Sequence, residues 1–284
     1  MPGKLIICPT PLGNLGDMTL RALEALRAAD VVCAEDTRVT GKLLAALGVE
    51  GKRLERLDEN VIGQRAGSIV ERVLAGEVIA YCTDAGMPGV SDPGLRLVRA
   101  AREAEAPVEV LPGPTAAATA YVASGCVDAS FYFGGFFPRK ANARKELLES
   151  LRSLDAALIF YESPNRLIDA LKSIEGVYPH RTLAVCRELT KLHEEVLRGT
   201  ALELREALQA RPSVKGEIVI VIDAPGDAER SEQAETAQVG AAKRAVDLLG
   251  EGMRPKQVAR QLEEEFGISR NEAYDIALNA KNEI

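Results

Sequence analysis

Four short loops in the sequence combine glycine and proline with polar or acidic residues, which can shape a backbone around a ligand and offer it acceptor groups. The loops are PTPLGNLGD (9–17), DTRVTG (36–41), TDAGMPGVSDPG (83–94) and PGPTAA (112–117). The first and third loops contain neither lysine nor arginine, and no GxxxxGK(S/T) or GxGxxG motif follows the first apolar run. A phosphate would therefore meet Asp84 and Asp92 without a compensating cation, so a phosphate site is not the favoured interpretation.

Carboxylates in a glycine-rich pocket suit a different kind of ligand. They accept hydrogen bonds from ribose hydroxyls and balance positive charge, such as the sulfonium and ammonium groups of S-adenosylmethionine (SAM). Each loop taken alone also fits an ordinary tight surface turn, because glycine, proline and aspartate dominate turns. Four such loops at one edge of a sheet favour the ligand site.

Each of these loops follows a short apolar or β-branched run, and helical patterns separate the runs. The runs cover residues 4–8, 30–35, 77–82 and 108–113. This alternation predicts βαβ units and a parallel sheet, in which ligands bind beyond the carboxyl ends of the strands. We therefore expect the four loops to meet at one edge of the sheet.

The alternation of strands and helices restarts in the second half of the chain. Further strands are predicted at residues 131–136, 156–162, 182–188, 193–200 and 216–223. A polar segment at 224–236 has the composition of a linker, and three helical segments with helix-turn-helix spacing follow at 237–249, 255–266 and 270–281. We predict an N-terminal α/β domain (1–112), a second α/β domain (113–226), and a linker with a small helical domain (227–284).

Composition limits the classes of function. The 284-residue chain carries a formal net charge of −7, which argues against nonspecific coating of nucleic acid but leaves room for a local basic patch that touches RNA. No apolar run approaches the ~18 to 20 residues that span a bilayer, so we expect no membrane association and a cytoplasmic location. The five cysteines occur singly and the two histidines lie far from acid clusters, so no metal site is expected.

Several motifs, in order from residue 9 to 217, resemble one known family. They are PTPLGNLGDMTLRA, AEDTR, TDAGMPGVSDPG, LPGPTA, GGFFPRK, FYESPNR, CRELTK and KGE. The sequence is similar to the ribosomal RNA small subunit methyltransferase I family, within the tetrapyrrole methylase superfamily. The resemblance implies a two-domain fold with a mainly parallel first sheet and a mixed second sheet, a small helical C-terminal domain, and a homodimer.

The resemblance also implies an activity. Members are expected to use SAM for 2′-O-methylation of the ribose of a cytidine in 16S rRNA, conventionally numbered 1402, within the small (30S) ribosomal subunit. SAM is expected to lie folded in the cleft between the two α/β domains. Carried over residue by residue, the implied SAM contacts are Pro11, Leu12, Asp84, Gly86, Met87, Val90, Thr115, Ala116, Tyr161 and Leu189.

The sequence departs from the family pattern at two positions. Met87 stands where a small hydroxyl residue is usual, and it would change the shape of the SAM pocket without removing a polar contact that the chemistry needs. Asn165 stands where a histidine is common, so no general base is expected at that position.

Methyl transfer from a sulfonium to a hydroxyl is an in-line displacement, so the protein must position the oxygen and can supply a base. The candidate carboxylates are Glu35, Asp36, Glu162 and Glu188, each at the carboxyl end of a predicted strand. We favour Asp36 and Glu162 for base or positioning roles. The alternative is that each acid simply bonds a neighbouring arginine or a backbone N–H.

Candidate RNA contacts come from basic residues near these motifs. They are Arg38, Arg139, Lys140, Arg144 and Arg166, and arginine suits the task because its guanidinium bonds phosphate with two donors. Phe136 and Phe137, just before the basic run, could stack an exposed base. The simpler explanation is that these basic residues form the solvent-exposed start of a helix.

Two other functions remain open from the sequence. One is methylation of a small tetrapyrrole, since the fold and the SAM loops are shared, although FFPRK and the helical tail favour RNA. The other is a ligand-sensing DNA-binding regulator, against which the acidic residues of the tail count, because DNA affinity depends largely on neutralising phosphates.

Overall fold

The computed structural model describes residues 3–283, apart from the side chains of Gln233, Asn282 and Glu283. The chain forms two compact units. One comprises the chain up to Glu149 together with Ala156–Asp223, and the other comprises Ser150–Asp155 and the chain from Ala224 onward. The finer domain boundaries at 112/113 and 226/227 stay predictions.

The first sheet is parallel throughout, as the sequence predicts. Its strands are β1 (Lys4–Ile7), β2 (Val31–Ala34), β3 (Arg53–Arg56), β4 (Val78–Cys82) and β5 (Val108–Val110), in the order β3-β2-β4-β1-β5. The intervening helices are α1 (Leu20–Ala28), α2 (Thr37–Ala46), α3 (Glu59–Leu74) and α4 (Gly94–Glu103). The short polar strand β3 lies at the edge of the sheet, and its sequence RLER gave no strand signal.

The central strands of this sheet are buried on both faces, which explains their continuous apolar runs. In β1, Leu5 and Ile7 belong to one core cluster, whereas Ile6 and the following Cys8 belong to the cluster on the opposite face. The rigid strands therefore end in loops whose positions are fixed by two packed cores. All five cysteine thiols are free, and all but Cys126 are buried.

The second sheet is mixed, as the resemblance implies. Its elements are α5 (Ala116–Ala123), β6 (Phe131–Phe136), α6 (Ala141–Ser150), β7 (Ala157–Glu162), α7 (Leu167–Val177), β8 (Thr182–Arg187), β9 (Glu195–Thr200), α8 (Ala201–Gln209) and β10 (Ile218–Ile222). The strand order is β6-β7-β10-β8-β9. β6 runs parallel to β7, whereas β10 runs antiparallel to both β7 and β8. The predicted fold class is thus confirmed.

The last three helices form a small core of their own. They are α9 (Asp227–Gly250), α10 (Pro255–Phe266) and α11 (Arg270–Glu283), and their contacts are mostly between alanines and leucines. Gly267 ends α10 in the left-handed conformation that favours glycine at a helix C-cap. Within residues 3–283, no helix is both long and apolar enough to cross a membrane.

The predicted linker at 224–236 is wrong for most of its length, because α9 already begins at Asp227. Asp227 and Glu229 lie in the first turn of α9, where negative charge is favourable, and Arg230 forms ion pairs with Asp227 and Asp155. The segment is polar, as linkers are, but its alanine and glutamate residues are also good helix formers.

Candidate active site

A cavity of about 450 Å³ lies where loops of the first sheet face strands of the second, entirely within the first compact unit. This volume is within the range of small-molecule sites, roughly 300 to 1,000 Å³. The first sheet contributes Leu12, Glu35 and the loop from Thr83 to Asp92, and the second contributes the ends of β6 and β7 and the start of β10. Three of the four loops, those after β1, β4 and β5, thus meet at one site, as expected, whereas residues 36–41 of the loop after β2 do not line it.

The loop after β4 needs glycine where it approaches the loop after β1. Thr10 and Gly86 exchange two backbone hydrogen bonds of 3.0 and 3.1 Å. Gly86 has a φ of +80°, and a Cβ there would lie 3.1 Å from the Leu12 side chain. A side chain at this position would therefore be strained and would press on the cavity wall.

Asp92 fixes the remainder of that loop. Its Oδ1 accepts hydrogen bonds from the backbone N–H groups of Gly89 and Gly94, at 2.7 and 2.8 Å, and its Oδ2 lies 2.8 Å from Gly89 N. Between them Ser91 has a φ of 68°, a left-handed conformation that costs a non-glycine residue about 1 to 3 kcal/mol. The carboxylate holds a strained loop in place at the cavity wall.

The cavity is acidic. Burial raises the pKa of Glu35, and the nearby charges of Asp84 and Asp92 raise it further. Burial also raises the pKa of Asp84, although the Asp36 N–H donates a hydrogen bond to its carboxylate. In the described part of the chain, the lining residues include no lysine or arginine. The electrostatic environment favours a ligand with positive charge and hydroxyl donors.

Glu162 is one of the residues that line the cavity, and its carboxylate is buried. Its side chain is fully buried; its Oε1 accepts a hydrogen bond from the Ser163 N–H at 2.7 Å and forms an ion pair with the Arg166 guanidinium at 2.5 Å. Its other oxygen, Oε2, is buried without a hydrogen-bond partner among residues 3–283. Because a buried carboxylate oxygen is costly to leave unpaired, a hydrogen-bond donor that reached Oε2 would be stabilised there.

The structure corrects the prediction for Asp36, which does not line the cavity. Its carboxylate caps α2 by accepting the Arg38 N–H at 2.8 Å, and it also forms an ion pair with the Arg38 guanidinium at 2.6 Å. These hydrogen bonds from Arg38 hold the pKa of Asp36 well below its usual range, so it is a poor base. The Glu188 carboxylate likewise accepts hydrogen bonds, from the Lys191 ammonium group and from the Glu217 N–H.

Most of the implied SAM contacts meet at this cavity. The residues that line it are Leu12, Asp84, Gly86, Met87, Val90, Thr115, Ala116 and Tyr161. Pro11 and Leu189 are buried and do not line it; Leu189 packs in the core beneath the second sheet. Met87 takes part in the wall, and Asn165 is absent from it.

Part of the cavity wall was not predicted from the sequence. Residues 216–219, at the start of β10, line the cavity together with Ser163 and Pro164. The motif KGE directly before an apolar run was the available signal. The antiparallel direction of β10 brings the start of this strand to the carboxyl end of β7.

Two predicted RNA contacts are corrected by burial. Arg144 is buried, and its guanidinium donates to Ser173 Oγ at 2.9 Å and to the Arg139 carbonyl at 3.1 Å, so it serves the packing of α6. Phe137 is 1% exposed, with its ring 4.6 Å from that of Phe160. Neither residue presents its side chain to a ligand.

The other basic candidates differ in their environment. Arg139 and Lys140 are exposed. Arg38 is largely exposed, although it is ion-paired with Asp36, and Arg166 is about a quarter exposed and holds Glu162. Their RNA contacts stay predictions.

One group of possible metal ligands exists among the described residues, formed by Cys126, Asp128 and Asp223. It adjoins the far end of β10 from the cavity, and the Arg198 guanidinium already neutralises Asp223. That no metal takes part stays a prediction.

The family model of the Tetrapyrrole (Corrin/Porphyrin) Methylases matches residues 4–205. Two solved structures share the fold. Diphthine synthase has a TM-score of 0.62 and 15% identity, covering 81% of this chain and 93% of that chain. The cobalamin biosynthetic enzyme cobalt precorrin-4 methyltransferase has a TM-score of 0.58 and 18% identity, covering 78% and 94%. Fold and cavity thus define a methyltransferase of the tetrapyrrole methylase class.

Three relatives indicate which family of this class the chain resembles, and each of them is a ribosomal RNA small subunit methyltransferase I. The protein of Micromonospora olivasterospora is 38% identical, covering 96% of this chain and 86% of its own length. That of Halalkalibacterium halodurans is 37% identical, covering 96% and 94%. That of Haemophilus influenzae is 38% identical, covering 98% and 97%. The chain belongs to the ribosomal RNA small subunit methyltransferase I family.

Proposed function

We propose that this protein uses SAM to methylate the 2′-hydroxyl of cytidine 1402 in 16S rRNA, within the small ribosomal subunit. The family names supply the substrate class, and the acidic cavity, whose lining among residues 3–283 includes no basic residue, is the observation that carries the choice of methyl donor. Homodimer assembly and a cytoplasmic location belong to the same proposal and rest on the family resemblance.

The residues present fit SAM on three counts. Glu35 and Asp84 supply negative charge for a sulfonium and an ammonium group, and Gly86 leaves room in the wall that a Cβ would fill. Glu162 supplies a buried acceptor that has no protein partner in the described chain. When bound, SAM would supply an activated methyl group.

The protein's own residues would then position the attacking ribose. Oε2 of Glu162 can accept the hydrogen bond of a hydroxyl that enters the cavity and can take its proton as the oxygen attacks. Arg166 and the Ser163 N–H hold Oε1, so the carboxylate keeps one orientation. Tyr161 and Val219 provide apolar wall that excludes water from the reacting groups.

RNA would be held outside the cavity by exposed cations. Arg139 and Lys140 follow the end of β6, which lines the cavity at Phe136. Their contacts would be to phosphates, so RNA affinity should fall with salt concentration.

Calorimetry with each ligand tests the assignment of the two regions. Asp84→Ala should weaken SAM binding about 10-fold or more, equivalent to about 1.4 kcal/mol. The matched control Asp169→Ala, an exposed acid on α7, should leave SAM binding unchanged. The double variant Arg139→Ala with Lys140→Ala should weaken RNA binding and leave SAM affinity intact. Equal SAM binding by Asp84→Ala and the wild type would contradict the acidic-cavity assignment.

A further inference from the structure

Strand β6 contains an irregularity that controls where one aromatic ring points. Phe133 pairs with Ile159 of β7, and Phe136 pairs with Tyr161. Three residue steps on β6 therefore face two steps on β7, which is the count of a β-bulge with one extra residue. Because side chains alternate along a strand, one extra residue moves every later side chain to the opposite face.

The ring contacts follow this change of face. Phe133 and Phe136, three positions apart, both lie against Tyr161, with ring centroids 4.9 and 5.6 Å away. Phe137 lies against Phe160 on the other face of the sheet. Regular alternation would have placed Phe133 and Phe136 on opposite faces. The bulge thus moves Phe136 to the face that carries the cavity.

The bulge is built from two glycines, and each is needed. Gly135 has a φ of +67°, which strains any other residue. A Cβ on Gly134 would lie 2.3 Å from the Phe160 ring. The backbone is therefore specialised at the two residues that precede Phe136.

Phe136 itself combines two properties. It lines the cavity, and 60% of its surface is exposed to solvent. Part of the residue therefore faces the cavity, and much of the rest is accessible to another molecule. Arg139 and Lys140 follow three and four residues later, both exposed and without an ion-pair partner among residues 3–283. An open aromatic ring beside free cations is the arrangement that binds single-stranded nucleic acid, by base stacking and phosphate contacts.

We propose that Phe136 is the stacking platform for the nucleobase of the RNA nucleotide whose ribose enters the cavity. This inference rests on the proposed function and adds the group that positions the substrate. Sequence-specific RNA recognition targets bases that are unpaired and splayed out, and an aromatic ring accepts the face of any such base. Stacking at the mouth places the attached ribose at the opening of the cavity that Glu162 helps to line.

The test measures RNA binding, SAM binding and molecular mass for the full-length Phe136→Ala variant. The probes are an RNA oligonucleotide with the sequence around cytidine 1402 and the same oligonucleotide with an abasic nucleotide at that position. We expect Phe136→Ala to weaken binding of the intact RNA roughly 5- to 150-fold, the range that stacking contributes per base. SAM affinity and mass should stay unchanged, and Phe136→Tyr should restore RNA binding.

The abasic probe identifies the partner of the ring. The wild type should bind the abasic RNA more weakly than the intact RNA, and Phe136→Ala should bind both equally. Phe131→Ala is the matched control, because Phe131 is an exposed phenylalanine of the same strand outside the cavity, and it should match the wild type.

Four results would overturn the inference. A fall in SAM affinity equal to the fall in RNA affinity would assign the ring to the adenine of SAM. A change of mass would assign it to a contact between two copies of the chain. Unchanged RNA binding by Phe136→Ala would show that the ring does not contribute to RNA binding. Failure of the wild type to bind either RNA would overturn the inference, because the ring would then not hold an unpaired base; label transfer to 30S subunits tests the proposed function separately.

Discussion

Replacement of Asp92 by alanine should loosen the loop that forms one wall of the cavity. The change removes the acceptor of two backbone N–H groups, those of Gly89 and Gly94. Hydrogen bonds to a charged group contribute about 1.5 to 3 kcal/mol each, which gives about 3 to 6 kcal/mol for the pair. Since Ser91 is exposed, water can reach the opened loop, and we expect the lower limit, a loss of about 3 kcal/mol in the free energy of unfolding.

Urea unfolding followed by circular dichroism measures this loss, with the midpoint lowered and the slope unchanged. Asp92→Asn keeps an acceptor but loses the charge, and its loss should be intermediate. Asp30→Ala is the control: Asp30 accepts one backbone N–H, that of Val78, and its replacement should cost about 1.5 kcal/mol without a change in SAM affinity. If Asp92→Ala unfolds within 0.5 kcal/mol of the wild type, roughly the effect of an ordinary surface substitution, the carboxylate does not hold the loop.

Three further predictions concern charged groups. Burial raises the pKa of Glu35 above 4.5, so ionisation of Glu35 destabilises the folded protein. Glu35→Gln should therefore raise the melting temperature of the SAM-free protein at pH 7. This gain should vanish below about pH 4.5, where the carboxyl group is protonated in both the folded and the unfolded state. Hydrogen bonds from Arg211 lower the pKa of Glu195 to about 2. Glu195→Gln should therefore lower the free energy of unfolding by about 1 kcal/mol at pH 7. Chemical unfolding should show that the difference in stability between variant and wild type disappears as the pH falls from 4.5 to about 2. Arg144→Met should cost about 2 kcal/mol by leaving Ser173 and nearby carbonyl groups without their donor, and filter binding should show unchanged RNA affinity.

The parallel sheet could be predicted because its signal is local. Apolar runs such as 77–82 alternate with amphipathic helices, and the structure has β4 and its neighbours at these places. Strand β3 could not be predicted in the same way. Its four residues RLER are polar, and it exists because the edge of β2 supplies hydrogen bonds to it. The start of α9 was not predicted, because the polar composition of this segment is typical of a linker although its residues also favour a helix.

The loops of the site were predictable, whereas the orientations of single side chains were not. The loop at 83–94 follows a strand and carries glycines in positions that require them, such as Gly86. Whether Phe136 or Phe137 faces the cavity depends on the bulge, which regular alternation does not reveal. The free oxygen of Glu162 depends on which partners hold the other oxygen. The burial of Arg144 had a signal, since Arg144 and Leu148 lie one helical turn apart on the buried side of α6.

Transfer of label from methyl-labelled SAM tests the central claim most directly. The acceptors are 30S subunits from cells that lack the modification, free 16S rRNA and a tetrapyrrole, each incubated with the wild-type protein. We expect label in the 30S subunits, recovered after nuclease digestion as 2′-O-methylcytidine from position 1402 of 16S rRNA. Label in a base, at another nucleotide or in the tetrapyrrole alone would contradict the account.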